Sequence, residues 1–313
     1  MDQGKTKIVV LCGPTGIGKT AAAIYLAIRC KGEIVGADSM QIYRHMDIGT
    51  AKPTLAEQRQ VPHHLIDVVD PGEAFDAERY ITLTRPVISD LTSRERLPLV
   101  VGGTGFYIKA LMYGLFETLP VDPEVRRRLQ NEVSEKGSPV LHKRLVQCDP
   151  GAAARIHPND TYRVLRALEV FESSGQTISA WQKPHAFKNK VYDTLQIGLN
   201  MPRQDLYARI DQRVDQMIDQ GLLEEVKGLL QNGYAPELRA MQSLGYRHMI
   251  AYLQKQQIWD ETVRTLKRDT RRYAKRQLTW FQSDPDVVWV DREDIAKMTE
   301  LIGAFVNDNP AKR

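Results

Sequence analysis

The stretch Gly13-Pro14-Thr15-Gly16-Ile17-Gly18-Lys19-Thr20 carries the residue types suited to gripping a phosphorylated compound. Its glycines let backbone N–H groups turn inward without interference from a Cβ. Lys19 supplies a mobile cation, and the Thr20 hydroxyl is a ligand for Mg²⁺. The flanks give the pattern its weight. An apolar, β-branched run, Lys7-Ile8-Val9-Val10-Leu11-Cys12, precedes it, and an Ala-rich segment, Ala21-Ala22-Ala23-Ile24-Tyr25-Leu26-Ala27, follows. Strand, glycine loop and helix in that order put an anion at a helix N-terminus, where the backbone dipoles favour it. A diphosphate or a triphosphate suits such a loop, and these residues alone do not choose between them.

Asp38 is the second residue with chemistry to offer. Glu33-Ile34-Val35-Gly36-Ala37 reads as a short buried strand ending in Asp38-Ser39. Ligands of open parallel sheets collect at the carboxyl ends of strands, so an acid there faces the phosphate loop. Three roles compete for it. It carries Mg²⁺, as in an ATP hydrolase, takes a proton as general base, or simply caps the next turn. Leu97-Pro98-Leu99-Val100-Val101 forms another strand, and Gly102-Gly103-Thr104-Gly105 brings a glycine turn to the same edge. A hydroxyl between glycines points to substrate contact for Thr104.

These turns need a scaffold that gathers strand ends. Short apolar runs at 7–12, 33–37, 64–68 and 97–101 alternate with helical spacing, which is the pattern of a doubly wound α/β sheet. The helical pattern at 76–93 contains Pro86, which is expected to kink or break it. Residues 40–53 show no clean period and read as loop with a short helix. From Asp122 to Lys183 the chain is polar, helical and free of readable strands, with breaks at Gly137-Ser138-Pro139, Asp149-Pro150-Gly151 and His157-Pro158. The expected organisation is an α/β core of residues 1–121 and 184–313 with a small all-helical domain inserted at 122–183. Strand character returns at 193–199 and 287–290.

Bulk composition excludes several classes. The 313 residues are 42% hydrophobic and 26% charged, ordinary values for a globular protein, and the net charge is only +4. Three scattered cysteines, Cys12, Cys30 and Cys148, argue against a disulfide framework or a zinc module. No signal-like segment opens the chain and no apolar run has membrane-spanning length, so a cytoplasmic protein is expected. The adjacent pair His63-His64 is not a metal site, because neighbouring strand residues point to opposite faces.

Charge is concentrated late in the chain. Arg264, Lys267, Arg268, Arg271, Arg272, Lys275 and Arg276 fall on one side of a helix, with Val263, Leu266, Thr270, Tyr273, Trp280 and Phe281 on the other. Only one acid, Asp269, lies among the basic residues. Such a stripe suits a phosphate backbone, and nucleic acid is the expected partner.

In order along the chain stand the 13–20 loop, Asp38-Ser39-Met40-Gln41-Ile42-Tyr43, 46–53 and Gly102-Gly103-Thr104-Gly105-Phe106-Tyr107. They are followed by Asn159-Asp160 with 166–170, Leu244-Gly245-Tyr246-Arg247 and 274–280, which ends Lys275-Arg276-Gln277-Leu278-Thr279-Trp280. Together these blocks resemble the tRNA dimethylallyltransferase family over essentially the whole chain. With no Cys/His module after the last helix, the chain is similar to the bacterial form. The resemblance implies transfer of a dimethylallyl group from dimethylallyl diphosphate to N6 of the adenosine 3′ to the anticodon.

It also implies roles for particular residues. Asp38 accepts the N6 proton. The diphosphate rests on Gly13, Pro14, Thr15, Gly16, Ile17, Gly18, Lys19 and Thr20, with Mg²⁺ on Thr20. Arg213, in a looser match at 209–217, and Thr104 act at the reacting centre. Ser39, Met40, Gln41 and Thr104 contact the flipped adenine and its neighbours. Arg126, Tyr162, Arg163, Arg166, Gly245, Tyr246, Arg247, Lys275, Arg276, Gln277 and Trp280 hold the anticodon stem-loop. The implied partners are tRNA and dimethylallyl diphosphate, with no membrane, and a monomer is expected. Two rivals stand apart from the resemblance. A small-molecule kinase or RNA-stimulated ATPase would load the loop with ATP, and a non-catalytic RNA-binding module would leave Asp38 and Thr104 idle.

Overall fold

Six short runs, most of them apolar, pair into one parallel sheet in a computed structural model of the chain, which describes residues 5–115, 122–185 and 189–308. The strands are β1 (Lys7–Cys12), β2 (Gly32–Gly36), β3 (His63–His64), β4 (Leu97–Gly102), β5 (Asp193–Asn200) and β6 (Val287–Asp291). Their order across the sheet is β3-β2-β4-β1-β5-β6, and every pairing is parallel. Parallel strands covered on both faces read as continuous apolar runs rather than alternating ones. β1 follows that rule, since Ile8, Val9, Val10, Leu11 and Cys12 are all buried.

The helices before the sheet's fifth strand include α1 (Lys19–Arg29), α2 (Leu55–Gln60), α3 (Ala77–Ser93) and α4 (Gly105–Tyr113). A second set comprises α5 (Pro123–Lys136), α6 (Ser138–Cys148), α7 (Pro150–Ala153), α8 (Thr161–Ser174) and α9 (Ile178–His185). After β5 come α10 (Arg203–Asp219), α11 (Leu222–Gln231), α12 (Tyr246–Leu253), α13 (Trp259–Gln282) and α14 (Ile295–Asn307). The chain divides into two compact units, 1–112 with 191–313, and 113–190. The smaller unit is built of helices and has its own core of Leu129, Leu141, Leu145, Val164 and Leu168. Its helices start where the chain supplies caps: Asp122, Asp149 and Asp160 accept from Glu124, Ala152 and Arg163 backbone N–H groups.

Register places the functional turns together. Cys12 pairs with Gly102 and with Gly198, and Gly36 pairs with Val101. The chain segments leaving β1, β2 and β4 therefore emerge side by side at one edge. Beyond the strands, Ala37 N–H donates to Val101 O at 2.8 Å and Thr104 N–H to Ala37 O at 3.1 Å, which keeps the last two in step.

Three expectations are corrected. The strand at 64–68 shrinks to His63–His64, because Leu65 and Asp67 adopt left-handed backbone (φ 62° and 57°) that no strand continues through. Helix α3 runs through Pro86. Pro86 and Thr82 lie on the exposed face, where the carbonyl that proline leaves unpaired meets water, while Tyr80, Ile81, Thr84, Ile88 and Leu91 keep a buried face. Residues 40–53 form turns, and the short helix comes after them at α2. In the histidine pair, His63 Nδ1 lies 2.8 Å from Val61 O and His64 Nε2 2.8 Å from Glu33.

Candidate active site

The 13–20 loop wraps the carboxyl end of β1 and feeds α1. Gly18 caps that helix with φ 103°, a conformation that L-residues with a Cβ adopt only at a cost. Lys19 turns back over the loop and donates to Gly13 O at 2.9 Å and Pro14 O at 2.8 Å. Burial brings its ammonium down to about 8, against the raising charge of Asp38 and with a smaller lowering from Arg213. The Thr20 hydroxyl makes no hydrogen bond among the described residues. No cluster of three His, Cys, Asp or Glu side chains able to hold a metal exists among them either.

Asp38 lies two residues past β2. Its Oδ1 accepts from Met40 N–H at 2.8 Å and Gln41 N–H at 3.3 Å. Its Oδ2 carries no hydrogen bond among the described residues. One oxygen is thus held by the turn while the other has no partner among the described residues. Thr104 Oγ1 accepts from Ser39 N–H at 2.9 Å, which ties the turns after β2 and β4 together and leaves the hydroxyl proton to donate. Arg213 projects from α10. Burial lowers its pKa, opposed by the charge of Asp38, and it makes no ion pair or hydrogen bond among the described residues. A desolvated guanidinium without a carboxylate partner is an anion receptor in waiting.

Two of the residues expected to contact RNA do something else here. Gln277, on α13, is buried and reaches across the sheet edge. Its Oε1 accepts from Thr15 N–H at 2.8 Å and its Nε2 donates to Gly103 O at 2.9 Å. Space is so tight that a Cβ on Gly103 would lie 2.2 Å from that Nε2. Tyr246 is fully buried, and its hydroxyl donates to Glu225 Oε1 at 2.6 Å. Glu225 also accepts from the backbone N–H groups of Asp47, Ile48 and Gly49 at 2.9, 2.8 and 3.1 Å. That segment in turn holds Gln41, whose Nε2 donates to Thr50 O and Ala51 O at 3.2 and 3.1 Å. Gly245 starts α12 with φ 87° and supplies backbone shape to the same packing.

The basic side of α13 is largely answered by acids. Arg264 pairs with Glu261, Lys267 with Asp215, Arg268 and Arg272 with Asp269, and Arg271 with Asp211. Asp211 and Asp215 sit on α10, out of sight of a reading confined to one helix. Arg247 also reaches Asp269, at 3.1 Å. Despite burial that opposes it, hydrogen bonds from Arg268 and His248 hold Asp269 at about 2. Lys275 and Arg276 stay exposed and unpaired by acids, with Arg276 over the Tyr273 ring. Trp280, expected on the apolar side, is instead exposed. In the helical unit Arg126 and Arg166 face Glu169, Arg163 pairs with Asp160, and Tyr162 is exposed.

The IPP transferase family model matches residues 41–284. The chain belongs to that family. It is 54% identical over 303 residues to the tRNA dimethylallyltransferase of Desulfosudis oleivorans, covering 96% of each chain. It is 55% identical to that of Syntrophobacter fumaroxidans, covering 99% of this chain and 91% of the relative. Among solved structures, the full-length tRNA isopentenylpyrophosphate transferase of Bacillus halodurans is similar at TM-score 0.73 and 40% identity, covering 97% of this chain and 98% of that one. A eukaryotic dimethylallyltransferase acting on tRNA is similar at TM-score 0.83 and 31% identity, covering 98% of this chain and 81% of that one. The α/β architecture of this chain is that of the family's solved members.

Proposed function

We propose that this family member transfers the dimethylallyl group of dimethylallyl diphosphate to N6 of the adenosine 3′ to the anticodon of tRNA. The observation that carries the reading is Asp38, half anchored and half available, beside two cations, Lys19 and Arg213, that have no carboxylate partner closer than it. The N6 lone pair forms a bond to C1 of the prenyl group as the bond from C1 to the diphosphate oxygen breaks. Asp38 Oδ2 takes the N6 proton, and the electron pair leaves with diphosphate. Lys19, Arg213 and the loop amides of 13–20 stabilise the charge that gathers there. The Thr104 hydroxyl donates within the same centre. The residues fit Mg²⁺, since Thr20 offers one hard oxygen and phosphate oxygens and water complete the shell this ion prefers. Bound there, Mg²⁺ would supply further neutralisation of the leaving group.

For RNA, exposed Lys275, Arg276, Trp280 and Tyr162 with Arg163, Arg166, Arg126 and Arg247 offer cations and stacking faces, whereas Tyr246 and Gln277 act by holding turns in place. Ser39, Met40 and Gln41 border the position of the flipped base. No described helix is long and apolar enough to cross a membrane. The three cysteines are free, which suits a reducing cytoplasm, and a monomer suffices for the chemistry.

The test is a mass measurement. With Mg²⁺, dimethylallyl diphosphate and an unmodified anticodon stem-loop, the RNA gains one five-carbon unit, and the gain disappears when the target adenosine is replaced. RNA-stimulated ATP hydrolysis without that gain overturns the reading.

A pH dependence follows from Lys19. Only the ammonium form attracts a diphosphate, and in the free protein it deprotonates at about 8. Bound diphosphate raises that value, so affinity is full below pH 8 and falls as pH rises through it. By pH 9 dimethylallyl diphosphate binds about tenfold more weakly than at pH 7, one decade for each unit above the free-state value. Titration calorimetry across this range reads it directly. Lys19→Arg, whose guanidinium stays charged, flattens the profile; an unchanged slope in that variant assigns the titration elsewhere.

A further inference from the structure

Beside Gly18 lie two guanidinium groups that the chemistry above leaves unused. Arg209 is on α10, one turn before Arg213, and Arg292 directly follows β6. A Cβ on Gly18 would stand 3.9 Å from Arg209 Nη2 and 3.9 Å from Arg292 Nη1, so the two side chains converge on the last residue of the loop before α1. Arg209 Nε donates to Gly16 O at 3.2 Å, which fixes that group against the loop. Arg292 is anchored through its backbone N–H, 3.0 Å from Asn200 O.

Neither arginine has a buried counter-charge among the described residues. Arg292 Nη1 is buried and has no hydrogen-bond partner. The acid nearest Arg292 is Glu293, a well-exposed side chain 3.7 Å away, and Arg209 makes no ion pair among the described residues. Burial, and then the charge of Arg292, lower the pKa of Arg209, against a smaller raising from the charge of Glu293. Two adjacent like charges and a buried donor without an acceptor are each unfavourable when nothing lies between them. An anion spanning both groups removes both costs at once, and planar guanidinium forks match phosphate oxygens.

We infer that Arg209 and Arg292 form a second phosphate subsite on the Gly18 side of the loop, taking one phosphate group of the diphosphate while Lys19 and the loop amides hold the other. The inference rests on the reading of 13–20 as a diphosphate loop. Its consequence is selectivity, because a lone phosphate engages one subsite and a diphosphate engages both.

Binding of inorganic pyrophosphate and of orthophosphate, each with Mg²⁺, tests it by calorimetry on the full chain. Arg292→Gln is expected to weaken pyrophosphate about tenfold, the worth of one charge-assisted contact, and orthophosphate by less than twofold. The same variant without anion melts no lower than the parent, since it relieves repulsion. Arg292→Lys keeps the charge but not the fork and should fall between the two, which keeps the question answerable if the Gln variant folds poorly. Unchanged pyrophosphate affinity in both variants, with Lys19→Ala abolishing it, overturns the subsite and leaves the diphosphate loop standing. Equal weakening of orthophosphate and pyrophosphate assigns the pair to a separate anion and also overturns it. If Lys19→Ala binds pyrophosphate as well as the parent, the loop reading itself falls.

Discussion

Asp38→Asn abolishes prenyl transfer, by a factor of about 10²–10⁴ or more, and leaves affinity for the anticodon stem-loop within a few-fold. The asparagine variant is the informative one. Oδ1 of Asp38 holds the turn by accepting from Met40 and Gln41, and an asparagine oxygen continues to accept both. What disappears is the basic Oδ2. Asp38→Ala removes both functions, so Met40 and Gln41 lose their anchor as well. The comparison separates chemistry from architecture: equal activity loss with RNA binding intact in both variants means that the base dominates. Single-turnover transfer and RNA affinity, measured on both, decide it. Retention of near-parental turnover in Asp38→Asn removes Asp38 from the reaction.

Gln277→Leu is the second large effect, and it acts through the backbone of the 13–20 loop. The replacement fits the volume but strips the partner from Thr15 N–H and from Gly103 O, two groups held in a region with little room. Each unsatisfied buried group costs about 1–3 kcal/mol. The variant is therefore expected to lose about 2–5 kcal/mol of stability, and to lose diphosphate affinity with it because the loop is no longer held open. Thermal or urea unfolding gives the first quantity and calorimetry the second. Gln277→Glu is a useful companion, since its carboxylate still accepts from Thr15 yet faces Gly103 O with no proton to donate. A Leu variant that keeps parental stability but loses RNA binding would return Gln277 to the RNA surface.

The contrast between what the sequence revealed and what it hid follows contact distance along the chain. The strand, glycine turn and helix at 7–29 were readable because they are contiguous, and the strand-end position of Asp38 because β2 ends two residues before it. Thr104 was readable for the same reason. The brace from Gln277 to Thr15 spans 262 positions, and no local period announces it. The residue stands in a motif block, but nothing local shows that its side chain is buried between Thr15 and Gly103. Tyr246 was similarly visible as part of a block while its partner, Glu225, was not, because a single acid on an amphipathic helix looks like any solvated side chain. The α13 stripe was legible only in part. Its charges are counted on one helix, and the acids that answer Lys267 and Arg271, Asp215 and Asp211, lie on another. The β3 region failed at Leu65 and Asp67, whose left-handed backbone is not what Leu or Asp composition suggests. Pro86 showed that an exposed proline costs a helix less than its reputation when a buried face continues beneath it.

The Gln277 brace also sets a clock on biosynthesis. The loop is among the first parts of the chain to leave the ribosome, whereas its brace arrives after residue 277 has been added. Synthesis at about 5–20 residues per second separates the two by roughly 13–50 s. Throughout that interval the nascent chain carries the phosphate-binding motif without the side chain that shapes it. A ribosome-bound chain stalled before residue 277 lacks the partner of Thr15 N–H, so on the function proposed above it would bind the prenyl donor more weakly than the released protein. The last third of the chain, far from the motif in sequence, would then determine when the 13–20 loop takes its final shape.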